Sequence, residues 1–71
     1  MMNRYEIIIY YDGNDLIYVA EMPELAGCSA HGNTEEEALA NVKEAMELWI
    51  EAAVERSEPV PVPRERRLMY A

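Results

Sequence analysis

The sequence predicts an α+β fold: a three-stranded antiparallel sheet, one amphipathic helix packed on it, and a short C-terminal extended strand, in the order β-β-β-α-β. Three observations carry this. Two runs rich in β-branched and aromatic residues, RYEIIIYY and LIYVAEM, flank the turn-forming Asp12-Gly13-Asn14-Asp15. A capping signal then opens a long segment whose apolar residues recur at steps of three and four. Prolines at alternate positions end that segment and hold the chain extended.

Residues 4–11 read as the first strand and residues 16–22 as its return partner in a hairpin. Along the first, Tyr5, Ile7, Ile9 and Tyr11 share one face, while Glu6, Ile8 and Tyr10 share the other. Both faces carry large apolar groups. One is expected to cover the helix, and the other, with Ile8 and Tyr10, is a candidate contact surface. Pro23 stops the second strand, and Glu24-Leu25-Ala26-Gly27 connects it to a third, short strand from Cys28 to His31 that ends at Gly32.

Thr34 is a good N-cap, and Glu37 three residues on completes a capping box. Glu35, Glu36 and Glu37 also put negative charge at the positive end of the helix dipole. Leu39, Val42, Ala45, Met46, Trp49, Ala52 and Ala53 then form one apolar stripe on a helix from about residue 35 to about residue 56. Trp49, the largest of them, is the expected anchor of helix on sheet. Pro59 requires the helix to end by Glu58. Pro59-Val60-Pro61-Val62-Pro63 lacks alternate N–H donors and cannot be a central strand. Arg66 to Tyr70 is available as a short edge strand. The organisation is a single domain over residues 1–63 with a basic tail over residues 64–71.

A chain of 71 residues and 8.2 kDa supports one small core. One cysteine excludes an intrachain disulfide, and Cys28 with His31 cannot complete a zinc site. Small scaffolds without staples gain stability by association, so a homodimer or higher homo-oligomer is expected. The charge is lopsided. Residues 1–63 hold 13 acids against Arg4, Lys43 and Arg56, a net of −10, and residues 64–71 carry +2, which together make the chain's −8. Such a body is repelled by phosphate backbones, so direct nucleic-acid binding is disfavoured. A basic protein partner is favoured instead. No apolar run approaches the roughly 20 residues of a bilayer span, and Met1-Met2-Asn3-Arg4 leads into no signal-peptide core. The expected location is the cytoplasm.

Glu47, Glu51 and Glu55 follow one another at four-residue steps on the outer side of the helix, where they form either a solubilising face or a docking surface for a basic partner. Metal-dependent nuclease chemistry needs converging carboxylates, and the hairpin offers only Glu6, Asp12, Asp15 and Glu21. Cys28 and His31 are three apart and fall on opposite faces of a strand, which separates any thiol–imidazole pair. Ser29 shares a face with His31, but no acid is placed to orient the imidazole. Tyr5, Tyr11 and Tyr18 could stack bases only with basic neighbours, and Arg4 alone is near. No catalytic residue, metal ligand or cofactor is assigned.

One ordered set goes beyond these generic patterns. Pro23-Glu24-Leu25-Ala26-Gly27-Cys28 is followed by Gly32-Asn33-Thr34-Glu35-Glu36-Glu37-Ala38, then by the helix with Trp49, then by Pro61 and Pro63. This resembles the HicB-like antitoxin family, whose pattern is P-D-L-P-G-C, G-D-T-x-E-E-A and I-P-x-P. Glu24, Ala26, Asn33 and Val60 depart mildly from it, and Ser57 stands where a glycine often follows the helix. The resemblance implies a partial ribonuclease-H-like fold and neutralisation of a HicA-like toxin, a small basic messenger-RNA-cleaving protein. Many members of that family add a C-terminal DNA-binding domain, for which residues 64–71 leave no room, so self-contained DNA repression is not expected. A stand-alone oligomeric relative without a toxin, or a residual nuclease, are the alternatives. Pro23, Gly27, Cys28, Gly32, Thr34, Glu37 and Trp49 read as determinants of the fold, not as an active site.

Overall fold

Strand pairing follows from where each backbone N–H finds its partner. In the computed structural model, which describes residues 5–63, β1 (Ile8–Asp12), β2 (Ile17–Glu21) and β3 (Ser29–Gly32) form an antiparallel meander in the order β1-β2-β3. The hairpin register runs from Ile8↔Glu21 to Asp12↔Ile17, and the second pair from Tyr18↔Gly32 to Glu21↔Ser29. The first strand thus starts later than the apolar run suggests. Met22 turns its N–H to the Cys28 carbonyl at 3.0 Å, on the β3 side, and the next residue due to bond β1, Pro23, has no N–H to give, so the ladder to β1 ends at the Ile8–Glu21 pair.

The turn differs too. Its Asp12 carboxylate accepts from the N–H groups of Asn14 (2.9 Å) and Asp15 (3.3 Å), as an Asx turn should. The residue driven into the left-handed region is neither Gly13 nor Asn14 but Leu16, with φ +57°. The register leaves four residues between paired Asp12 and Ile17, and it is the last of them that must reverse the backbone.

From Met22 to Cys28 the chain makes two consecutive tight turns, closed by Leu25 N–H to the Met22 carbonyl and Cys28 N–H to the Leu25 carbonyl, each 3.0 Å. Gly27 sits third in the second turn with φ +75°, the type II geometry that suits glycine. These turns fold Met22, Leu25 and Cys28 inward, and all three are buried.

The helix α1 spans Glu35–Glu55. Thr34 Oγ1 accepts from Glu37 N–H at 3.0 Å, and the Glu37 carboxylate reaches back to Asn33 N–H at 3.1 Å, a capping box displaced by one residue. At the other end Ser57 takes φ +57°, with Glu58 N–H bonded to the Ala53 carbonyl (2.8 Å) and Ser57 N–H to that of Val54 (3.1 Å). That is a Schellman termination with serine in the glycine position.

Ala38 and Val42 are fully buried with Ala20, Met22, Leu25 and Cys28, and Leu39, Ala45, Met46 and Trp49 pack around them. The helix lies over β3 and β2 and barely reaches β1, so no β1 residue is buried. Tyr11 instead leans edge-on against Tyr18, ring centroids 5.1 Å apart. Residues 59–63 belong to no strand, and the Tyr5 hydroxyl donates to the Pro61 carbonyl, tying this segment to the start of the chain. The expected edge strand over Arg66 to Tyr70, and the basic tail with it, lie outside the described residues.

Candidate functional site

Among the described residues Cys28 and His31 are kept apart. Cys28 faces the core, and burial pushes its thiol up from the ordinary value, which disfavours the thiolate at neutral pH. His31 is exposed, on the opposite face of β3, and its carbonyl accepts from Asn41 Nδ2 at 2.8 Å. Among the described residues no group of three or more His, Cys, Asp or Glu is placed to hold a metal ion. A small open cleft of about 210 Å³ follows the loop after β2, lined by residues such as Pro23, Gly27 and Ser29. Its walls are the two tight turns. No helix among the described residues is long and apolar enough to cross a membrane.

The residues singled out for partner binding fall into two groups on opposite sides of the molecule. Glu47, Glu51 and Glu55, with Glu44, are all exposed along the side of α1 turned away from the sheet. Ile8 and Tyr10, each 44% exposed, lie on the face of the sheet turned away from α1. There the Tyr10 hydroxyl donates to Glu21 Oε2 at 3.1 Å, and that carboxylate is the main cause holding the phenol above its usual pKa.

The motif residues do structural work, each in a distinct way. Pro23 is second in the first tight turn and Gly27 third in the next, and Cys28 is core. A Cβ on Gly32 would lie 2.6 Å from the Ala38 backbone nitrogen, so only glycine lets β3 run directly into the helix. Trp49 packs against the core, as its stripe position suggests, and makes a second tie as well. It is half-buried, and its Nε1–H donates to the Ala26 carbonyl at 2.9 Å, pinning α1 to the loop between β2 and β3. Sequence reasoning passed over Met22, Leu25 and Ala38 as core residues and Leu16 as a strained, exposed one. The spacing of Met22, Leu25 and Cys28, three residues apart around Pro23 and Gly27, was the available signal for the first two.

The model of the "HicB_like antitoxin of bacterial toxin-antitoxin system" family matches residues 5–69. A UPF0150 protein of Thermoplasma acidophilum is 41% identical over 58 residues, covering 82% of this chain and 83% of that protein. A UPF0150 protein of Synechocystis is 39% identical over 60 residues, covering 82% and 78%. A second Synechocystis UPF0150 protein is 48% identical over 44 residues, and there the match spans 62% of this chain and 56% of the relative. No solved structure matches at a significant level. The chain belongs to the HicB-like antitoxin family of bacterial toxin–antitoxin systems.

Proposed function

We propose that this chain binds and neutralises a small basic HicA-like toxin that cleaves messenger RNA, acting in the cytoplasm by occlusion rather than by catalysis. The observation that carries the reading is the charge of the body: a net −10 over residues 1–63, with the acids of α1 exposed in a continuous row. An anionic surface of this kind raises the encounter rate with a cationic ribonuclease and competes with RNA for it. The test is a search beside this gene for a reading frame that encodes a small basic protein, and co-expression of its product with this chain. Rescue of growth and co-purification are expected; a toxin left fully active in the presence of the folded chain would sink the idea.

Steering has its own signature. Reversing Glu47, Glu51 and Glu55 to Lys is expected to slow association with that protein and flatten its salt dependence, with the fold intact because these side chains are exposed. The reversal exchanges one like-charged row for another and turns Lys43 from an attractive into a repulsive neighbour of position 47, so no gain in the stability of the isolated chain is expected from it. Stopped-flow rates against ionic strength check this, and equal salt slopes for both proteins would remove the helix acids from the encounter.

Self-association belongs to the same reading. Seven hydrophobic residues are buried among those described, a small core, and β1 and β3 are the edge strands of the described sheet, which offers a second copy an edge to pair with. Sedimentation equilibrium at micromolar concentration is expected to show a dimer or larger species. A lone 8.2 kDa monomer across that range contradicts it.

A further inference from the structure

Leu16 combines two features that bring the isolated chain no benefit. Its φ of +57° is a conformation that costs a residue with a Cβ, and glycine or asparagine would occupy it with less strain. Its side chain is also 71% exposed. A strained residue that presents a large apolar group to solvent points to a use outside the monomer.

Its surroundings say what kind. Leu16 stands at the hairpin tip beside Ile17, and the outward side chains Ile17 and Val19 of β2 continue the apolar surface to Tyr10 and Ile8 of β1, each 44% exposed. Asp12, Asp15 and Glu21 edge this stripe. A second copy placed face to face would set these acids against one another. A partner with an apolar patch and a cationic rim meets no such repulsion. The acidic side of α1 is different in kind. Its exposed Leu48 (62%) and Val54 (64%) are six residues apart, about 120° around the helix axis, and flank the glutamates singly without forming a patch.

We propose that the basic partner is held on the outer face of the sheet with Leu16 of the hairpin tip as an anchor, the glutamates of α1 serving only its approach. This rests on the antitoxin reading above and names the surface that reading leaves open. Charges outside the contact set the association rate, and apolar groups buried in it set the dissociation rate.

Leu16→Gly separates anchoring from folding because its two effects have opposite sign. Removing the left-handed strain raises the melting temperature by about 4–8 °C. Loss of the buried side chain weakens binding about ten-fold or more, chiefly through faster dissociation. Ser57→Gly is the control: it relieves the same backbone strain at the end of α1 and leaves affinity unchanged. The probe is a purified HicA-like toxin, with affinity and rates read by surface plasmon resonance and melting by circular dichroism. Wild-type affinity in a stabilised Leu16→Gly variant overturns the anchor while the antitoxin reading stands. A fall in the melting temperature of Leu16→Gly overturns the strain argument. Absence of binding by the wild-type chain overturns the antitoxin reading and this inference with it.

Discussion

Gly32→Ala is expected to destabilise the chain by about 3 kcal/mol, lowering the melting temperature by about 12–24 °C. The added Cβ would lie 2.6 Å from the Ala38 nitrogen, 2.8 Å from Glu37 Cβ and 2.9 Å from the Glu37 carbonyl carbon. Two of these three are backbone atoms of the first helical turn, which cannot rotate aside as a flexible side chain would. Relief requires the helix to lift from β3, and that breaks the paired bonds of Thr34 and Glu37 that start it. A domain of this size is stable by roughly 4–10 kcal/mol, so the loss is a large share of the total. Gly13→Ala provides the contrast, since nothing lies within 4 Å of its Cβ position and its φ is not positive. Thermal melts of the two variants check the claim, and equal melting temperatures would show that the strand–helix junction has slack the geometry does not suggest.

Trp49→Ala is expected to cost about 3 kcal/mol, the lower end for a large aromatic because the ring is only half-buried. Trp49→Phe is expected to cost about 1 kcal/mol, the worth of the lost bond to the Ala26 carbonyl with most of the packing kept. The ratio is the diagnostic. If the ring chiefly packs on the core, Phe recovers most of the stability; if the indole N–H is the principal tie between α1 and the loop, Phe and Ala behave alike. Denaturant titrations of the three proteins distinguish these cases. Neither substitution touches the outer sheet face, so residual folded protein should keep its affinity for a partner there.

Much of this architecture was legible because it is set by interactions close in sequence. Thr34 and Glu37 announce the start of α1, since a capping box lies within one turn. Pro59 limits its end for a reason equally local, the geometry of the residue before proline. The alternation of Ile7, Ile8, Ile9 and Tyr10 predicts two apolar faces on the first strand, and the core takes Ile7 and Ile9 while leaving Ile8 and Tyr10 outside. The motif residues from Pro23 to Trp49 identified the family because they encode turns, a junction and a tether. For the same reason they say little about the binding surface.

What only the tertiary structure decided depends on distance in the chain. Composition marked Gly13 and Asn14 as the residues for an unusual backbone angle, yet pairing of Asp12 with Ile17 passed that demand to Leu16. Periodicity put Trp49 on the packed stripe, and the turn at Gly27 brought the Ala26 carbonyl to its indole and made it a tether to a loop as well. Charge counting offered Glu47, Glu51 and Glu55 for partner binding, and strand alternation offered Ile8 and Tyr10. Packing of α1 over β2 and β3 set those groups on opposite sides of the molecule, so that one small partner cannot rest flat on both. Local hydrogen bonds and chain stiffness are properties of neighbouring residues and can be read along a sequence; register, tethering and facing are settled only when distant segments compete for the same space.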